Sequence, residues 1–227
     1  MDTQAISIAS YIDHTLLKPA VTRAEIIHLC EEAIEYQFVS VCIPPCYVSL
    51  AADILNGTPI ATGTVIGFPL GYNTTATKVK EAQAARKDGA QEIDMVINRG
   101  WIKDGLYPLV VKEVQEVTQV VPDMIVKVIM ELCDLTGPEK REAAAALLET
   151  GAHFLKTSTG LGKGGATLED VHLLAEISRG RMKIKAAGGI RHAAEALAFI
   201  KAGASRIGTS SGVQIMQEQY LLLKADS

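Results

Sequence analysis

The chain has 227 residues, 48% hydrophobic and 21% charged, with a formal net charge of −4; this is enough to bury one well-filled core, and it is a size at which an α/β barrel forms one domain. Acidic and basic residues are interspersed, which excludes the like-charge stripe of a protein that grips nucleic acid or an anionic membrane surface. No apolar run approaches the ~20 residues that span a bilayer, "MDTQAISIAS" lacks the basic head and apolar core of a secretory leader, and Cys30, Cys42, Cys46 and Cys133 show no CxxC spacing, so a reduced, cytoplasmic protein is expected.

Short β-branched runs recur along the chain. "YIDHTLL" (11–17) is the weakest; then come "FVSVCI" (38–43), "IATGTVIG" (60–67), "EIDMVIN" (92–98), "MIVKVIM" (124–130), "HFLKT" (153–157), "MKIKAA" (182–187) and "SRIGT" (205–209), eight in all. Helix-period segments lie between them, with starts marked by the capping box "TRAE" at Thr22–Glu25 and by "TLED" at Thr167–Asp170. Parallel strands covered on both faces read this way, and eight such units predict a closed (β/α)8 TIM barrel over residues 1–227. A doubly wound open sheet shares the alternation and stays as the alternative.

A short repeat sets the register. "DGAQEID" (88–94), "TGAHFLK" (150–156) and "AGASRIG" (202–208) each place a glycine at a helix end and run into a strand, and glycine suits the left-handed C-cap position. Five residues beyond Gly89, Gly151 and Gly203 lie Asp94, Lys156 and Gly208; the same count from Gln37 in "YQFVSVC" reaches Cys42. These are strands two, four, six and eight, and alternate strands of a barrel fill one interior layer. An acid, an amine, a thiol and a gap fill a core poorly and suit a catalytic mouth.

Lys156 closes an apolar strand, and Lys185 in "KIKAAGG" ends the next one. An ammonium beside a buried lysine lowers its pKa and frees a nucleophilic amine; the alternative is two strand-end lysines that reach water. Asp94 needs cationic partners if it points inward, as a proton carrier or as half of a structural ion pair. Asp13 extends that network or caps a turn.

For an anion, "AAGGIR" (186–191) sets Gly188 and Gly189 after strand seven, and "GTSSG" (208–212) sets Ser210 and Ser211 after strand eight. Loops at these places, with a helix N-terminus, cradle phosphate in this fold through free backbone N–H groups. "STGLGKGGAT" (158–167) is a third glycine-rich loop in which Lys163 either contacts phosphate or is simply solvated; its spacing is not that of a nucleotide P-loop. His14, His28, His153, His172 and His192 fall on separate elements, so no metal site is expected.

Together "DHTLLKP" (13–19), "VCIPP" (41–45), "TVIGFPLG" (64–71), "EIDMVIN", "FLKTSTG" (154–160), "GGAT" with "EDV" (164–171), "KAAGGIR" (185–191) and "RIGTSSG" (206–212) resemble the deoxyribose-phosphate aldolase family in order along nearly the whole chain. The resemblance implies a class I aldolase that reversibly cleaves 2-deoxy-D-ribose 5-phosphate to acetaldehyde and D-glyceraldehyde 3-phosphate, in deoxyribonucleoside catabolism, with no metal or other cofactor. It implies Lys156 as the Schiff-base lysine, Lys185 as the residue that tunes it and Asp94 in the proton relay. It also implies Thr15, Thr64, Phe68 and Thr159 around the pocket, Cys42 as a pocket thiol, and a homo-oligomer, a dimer or larger. Leu161 stands where some relatives carry a lysine after the "STG" glycine, and Tyr220 is followed by "LLLKADS" where some end in a tyrosine, so no tyrosine role is carried over. Two other readings are a Schiff-base aldolase for a larger sugar phosphate and a non-catalytic barrel that binds a phosphorylated ligand.

Overall fold

The computed structural model describes residues 7–225. Eight strands run in chain order: β1 (Ile12–Thr15), β2 (Ser40–Ile43), β3 (Ala61–Ile66), β4 (Glu92–Val96), β5 (Ile125–Ile129), β6 (Phe154–Lys156), β7 (Lys183–Ala187) and β8 (Arg206–Thr209). Each pairs in parallel with the next, and β8 returns to β1 to close the barrel. The weakest strand of the sequence is therefore a full member, held on one side by β2 and on the other by β8.

Helices α1 (Arg23–Tyr36), α2 (Val48–Leu55), α3 (Thr75–Lys87), α4 (Arg99–Lys103), α5 (Tyr107–Val120), α6 (Gly137–Leu147), α7 (Leu168–Ser178), α8 (Ala193–Lys201) and α9 (Gly212–Ala225) form the outer ring. The predicted starts are present. Thr22 and Glu25 form a reciprocal capping box at α1, and the Thr167 hydroxyl accepts from the Asp170 amide at α7. The short α4 has no counterpart in the sequence reading: Asn98, placed there at the end of a strand, caps α4 through the Trp101 amide. None of the described helices is long and apolar enough to cross a membrane.

Strand alternation divides the buried residues in two. Ile12, Val41, Ile43, Ile66, Ile93, Met95, Val126, Val128, Leu155, Ile184, Ala186 and Ile207 face the helices in one continuous hydrophobic cluster; each such side chain contributes about 1.5–3 kcal/mol by leaving water. The alternate positions point into the barrel, and there the filling is largely ionic. The glycines that set the register do so in the left-handed region, with φ of 101° at Gly89, 78° at Gly151 and 112° at Gly203, and Gln37 takes the equivalent position before β2 at 55°.

Candidate active site

Asp94 lies at the middle of the interior. Its Oδ2 is 2.6 Å from Lys156 Nζ and 2.7 Å from Lys185 Nζ, and its Oδ1 is 3.0 Å from Lys127 Nζ. Lys185 also pairs with Asp13, and Lys127 reaches Glu92 at 2.6 Å and Asp13 at 3.5 Å. Below them Arg206 joins Asp13 to Glu92, with Nη2 2.7 Å from Glu92 Oε1. The three lysines and three carboxylates are almost wholly buried.

The strands produce this cluster by register. Lys156 and Lys185 are opposite each other on β6 and β7, Asp94 is opposite Lys127 on β4 and β5, and Asp13 is opposite Gly208 on β1 and β8. Gly208 is the gap predicted from the repeat: a Cβ there would come within 3.0 Å of Lys185 Cε and of Ala187 Cβ, closer than ordinary carbon contact. A side chain at 208 would thus press on the end of Lys185 and on Ala187.

Electrostatics separate the lysines. Burial pushes Lys156 below the ordinary lysine range and the Lys185 ammonium adds to that, against the pull of Asp94. Burial also disfavours the Lys185 ammonium, but Asp13 and Asp94 outweigh it and raise that group. Burial would raise Asp94, yet Lys127, Lys156 and Lys185 hold its carboxyl well below the usual range. The result is a poised amine beside a fixed ammonium and a fixed carboxylate. Cys42, wholly buried beneath the mouth, has its thiol raised by burial and then by Asp94, which keeps it in the unreactive protonated form.

Lys156 opens onto a cavity of about 210 Å³ at the C-terminal ends of the strands. Thr15, Thr159, Gly188, Gly189, Gly208 and Ser210 line it as well. Thr159 is held there by Glu131, whose Oε2 accepts from both its amide at 3.2 Å and its hydroxyl at 2.5 Å. Ser210 precedes α9, and a helix N-terminus favours an anion at that side of the cavity.

Other sequence-predicted residues sit elsewhere. Thr64 is turned outward: Gly63 and Val65 take the inward positions of β3, Thr64 is opposite Ile43 and Ile93 of the helix-facing layer, and its hydroxyl donates to the Ile43 carbonyl. Lys163 is 69% exposed and paired with Asp134 at 3.1 Å, away from the cavity. Ser211 does not line the cavity; its amide donates to the Thr209 hydroxyl and its carbonyl accepts from Ile215 as α9 begins. Phe68 lines an adjoining hollow with Leu17, Pro44 and Val65.

The sequence reading missed the cations that do reach the cavity, Lys18 and Arg191. Both lie inside quoted motifs, Lys18 in "DHTLLKP" and Arg191 in "AAGGIR", and a basic residue a few positions past a strand end was the available signal. It also missed Lys127 and Arg206 in the interior, and strand alternation put Glu92 on the side of Asp94 without giving it a role.

The model of the DeoC/LacD family aldolases matches residues 7–218. The chain belongs to this family. Among DeoC/LacD relatives, the deoxyribose-phosphate aldolase of Thermoanaerobacter sp. (strain X514) is 53% identical over 216 residues, covering 94% of this chain and 97% of the relative. That of Staphylococcus carnosus (strain TM300) is 51% identical over 209 residues, covering 92% and 95%. Among solved structures, the aldolase QR15 superposes with a TM-score of 0.92 at 42% identity, covering 96% of this chain and 99% of that one. The tetrameric deoxyribose phosphate aldolase of Aeropyrum pernix gives 0.85 at 32%, covering 95% and 92%. The cluster around Lys156 thus sits in a chain of aldolase ancestry, in a barrel of the same shape as solved aldolases.

Proposed function

We propose that the protein is a class I aldolase that reversibly cleaves 2-deoxy-D-ribose 5-phosphate to acetaldehyde and D-glyceraldehyde 3-phosphate. The observation that carries the reading is the buried, pKa-lowered Lys156 at the cavity floor, 2.6 Å from the Asp94 carboxylate and beside the Lys185 ammonium, in a chain about half identical to proteins named for this activity.

In the cleavage direction the neutral Lys156 amine attacks the C1 aldehyde of the open-chain sugar, and the carbinolamine loses water to give an iminium. Removal of the C3 hydroxyl proton lets the C2–C3 electrons flow into the iminium. This breaks that bond and leaves an enamine on Lys156 and glyceraldehyde 3-phosphate free. Protonation of the enamine at C2 and hydrolysis release acetaldehyde and the amine. Asp94 and Lys185, through a water, are the groups placed to carry the protons. The ammonium of Lys185 also disfavours a second positive charge nearby, which keeps the resting amine neutral.

The phosphate is assigned to the loops after β7 and β8, where Gly188, Gly189 and Ser210 supply backbone and hydroxyl groups and Arg191, together with Lys18 from the loop after β1, supplies charge. Replacing Arg191 with alanine is expected to raise KM for the phosphorylated substrate about 10- to 100-fold, the size of a hydrogen bond to a charged group, and to leave turnover of unphosphorylated 2-deoxyribose unchanged. Steady-state kinetics on both sugars check this; equal losses on the two would move the phosphate elsewhere.

The tetrameric Aeropyrum pernix relative, together with exposed Tyr220 and Leu221 on α9, supports a homo-oligomer, which light scattering measures. The reaction itself is tested by incubation with acetaldehyde and reduction with borohydride. An ethyl group on Lys156, found by peptide mass spectrometry and lost in Lys156→Ala, is the expected result. Sugar-phosphate binding without any adduct would make the chain a binding barrel instead.

A further inference from the structure

The interior holds more charge than the aldol steps use. Asp13 comes from β1, Glu92 and Asp94 from β4, Lys127 from β5, Lys156 from β6, Lys185 from β7 and Arg206 from β8. The inward positions of β2 and β3 add the thiol of Cys42, the hydroxyl of Ser40 and the uncharged Gly63 and Val65. Three carboxylates therefore face four cationic side chains. A net charge in a closed interior is costly, and its simplest relief is one proton lost from one cation.

The contacts decide which cation that is. Arg206 touches Asp13 and Glu92; Lys127 touches Asp13, Glu92 and Asp94; Lys185 touches Asp13 and Asp94. Among the carboxylates of the described residues Lys156 touches Asp94 alone, through an oxygen that Lys185 shares. It is the least compensated of the four.

We propose that Lys127, which does not line the cavity, is a positioning residue that makes Lys156 the neutral amine, by occupying Asp94 Oδ1 and supplying the cation that puts the cluster one positive charge in excess. Without Lys127, three carboxylates balance three cations, and Asp94 turns its full charge on Lys185 and Lys156. Lys156 then stays an ammonium at neutral pH and cannot attack a carbonyl. The opposite shifts of the two groups agree: burial and Lys185 lower Lys156, whereas Asp94, Asp13 and Glu92 overcome burial and raise Lys127. The inference rests on the Schiff-base reading and extends it to a residue that never meets the substrate.

The test is the pH dependence of borohydride-trapped ethylation of Lys156 by acetaldehyde, read by peptide mass spectrometry, with thermal melts to confirm folding. In Lys127→Met the acid midpoint should rise by about one pH unit or more, which is a loss of roughly tenfold in trapping rate on the acid side. Adding Glu92→Gln restores one excess cation, with two carboxylates against three cations, and should bring the midpoint back toward wild type; Glu92→Gln alone should lower it. A Lys127→Met protein that keeps the wild-type midpoint and only melts earlier would reduce Lys127 to a structural ion pair and overturn the proposal. If Lys127→Met does not fold, Glu92→Gln decides, and an unmoved midpoint again overturns it. Absence of any adduct in the wild type would be a failure of the Schiff-base reading, distinct from either result.

Discussion

Lys156→Ala should lose aldol cleavage by at least about 10⁴-fold in kcat, the scale on which a covalent enzyme fails when its nucleophile is removed, while remaining folded. Retained folding follows from the charge count. Lys156 has one carboxylate contact, and it is shared, so its removal leaves three acids against three bases and strands no carboxylate. Its end of the strand also meets the cavity, where water can fill the vacated space. The melting free energy should therefore change by less than about 1 kcal/mol, with phosphate binding retained. Calorimetry and stopped assays on one preparation check both halves. A variant that retained more than a few per cent of activity would remove Lys156 from the chemistry.

Asp94→Asn should behave in the opposite way, damaging fold and activity together. The carboxylate is 1% exposed and meets three lysine nitrogens. Its neutralisation leaves two carboxylates against the charged Lys127, Lys185 and Arg206, with Lys156 already neutral, and an unbalanced buried charge costs about 3–5 kcal/mol, a fall in Tm on the order of 10 °C for a chain this size. Loss of a proton carrier should reduce kcat about 10²- to 10⁴-fold. Because the Asp94 carboxyl is held below its ordinary value by the lysines, its contribution to stability is present above about pH 4 and is lost as pH falls toward the folded-state value. The gap in Tm between wild type and variant should accordingly be widest near neutral pH and narrow in acid. The residual activity should have its acid limb displaced downward, since a missing carboxylate disfavours the Lys156 ammonium. A gap in Tm that did not change with pH would point to lost packing rather than lost charge.

The barrel was legible because its signals are local. Eight β-branched runs, two helix caps and the repeated glycine can be read within a few residues of each other, and the five-residue count from Gly89, Gly151 and Gly203 carries Asp94, Lys156 and Gly208 to the interior. The cluster was only half legible because its remaining members are identified by closure. Lys127 in "MIVKVIM" looks like a lone charge on a strand, and Glu92 and Arg206 stand 114 positions apart until β8 meets β1. Thr64 was assigned by resemblance, although Val65, opposite Asp94, is the residue whose parity points inward. Lys163 was offered as a phosphate contact because the glycine-rich loop around it looked adaptable, and Lys18 and Arg191 were given no role; Asp134 pairs with Lys163 at the surface.

The ionic interior also constrains how the chain can be made. Asp13 and Glu92 emerge from the ribosome long before their common partner, Arg206, which stands on the last strand. A growing chain that closed early would bury Asp13 and Glu92 without the guanidinium that bridges them, so hydrated, open forms should persist during synthesis until that strand appears. A fragment ending at Lys201, probed by limited proteolysis, should be cut within its first strands, whereas the whole chain resists. Resistance of the fragment would mean that seven strands settle without the eighth. The residue that bridges Asp13 and Glu92 is thus also a late checkpoint, and a prematurely terminated product is left soft enough for degradation.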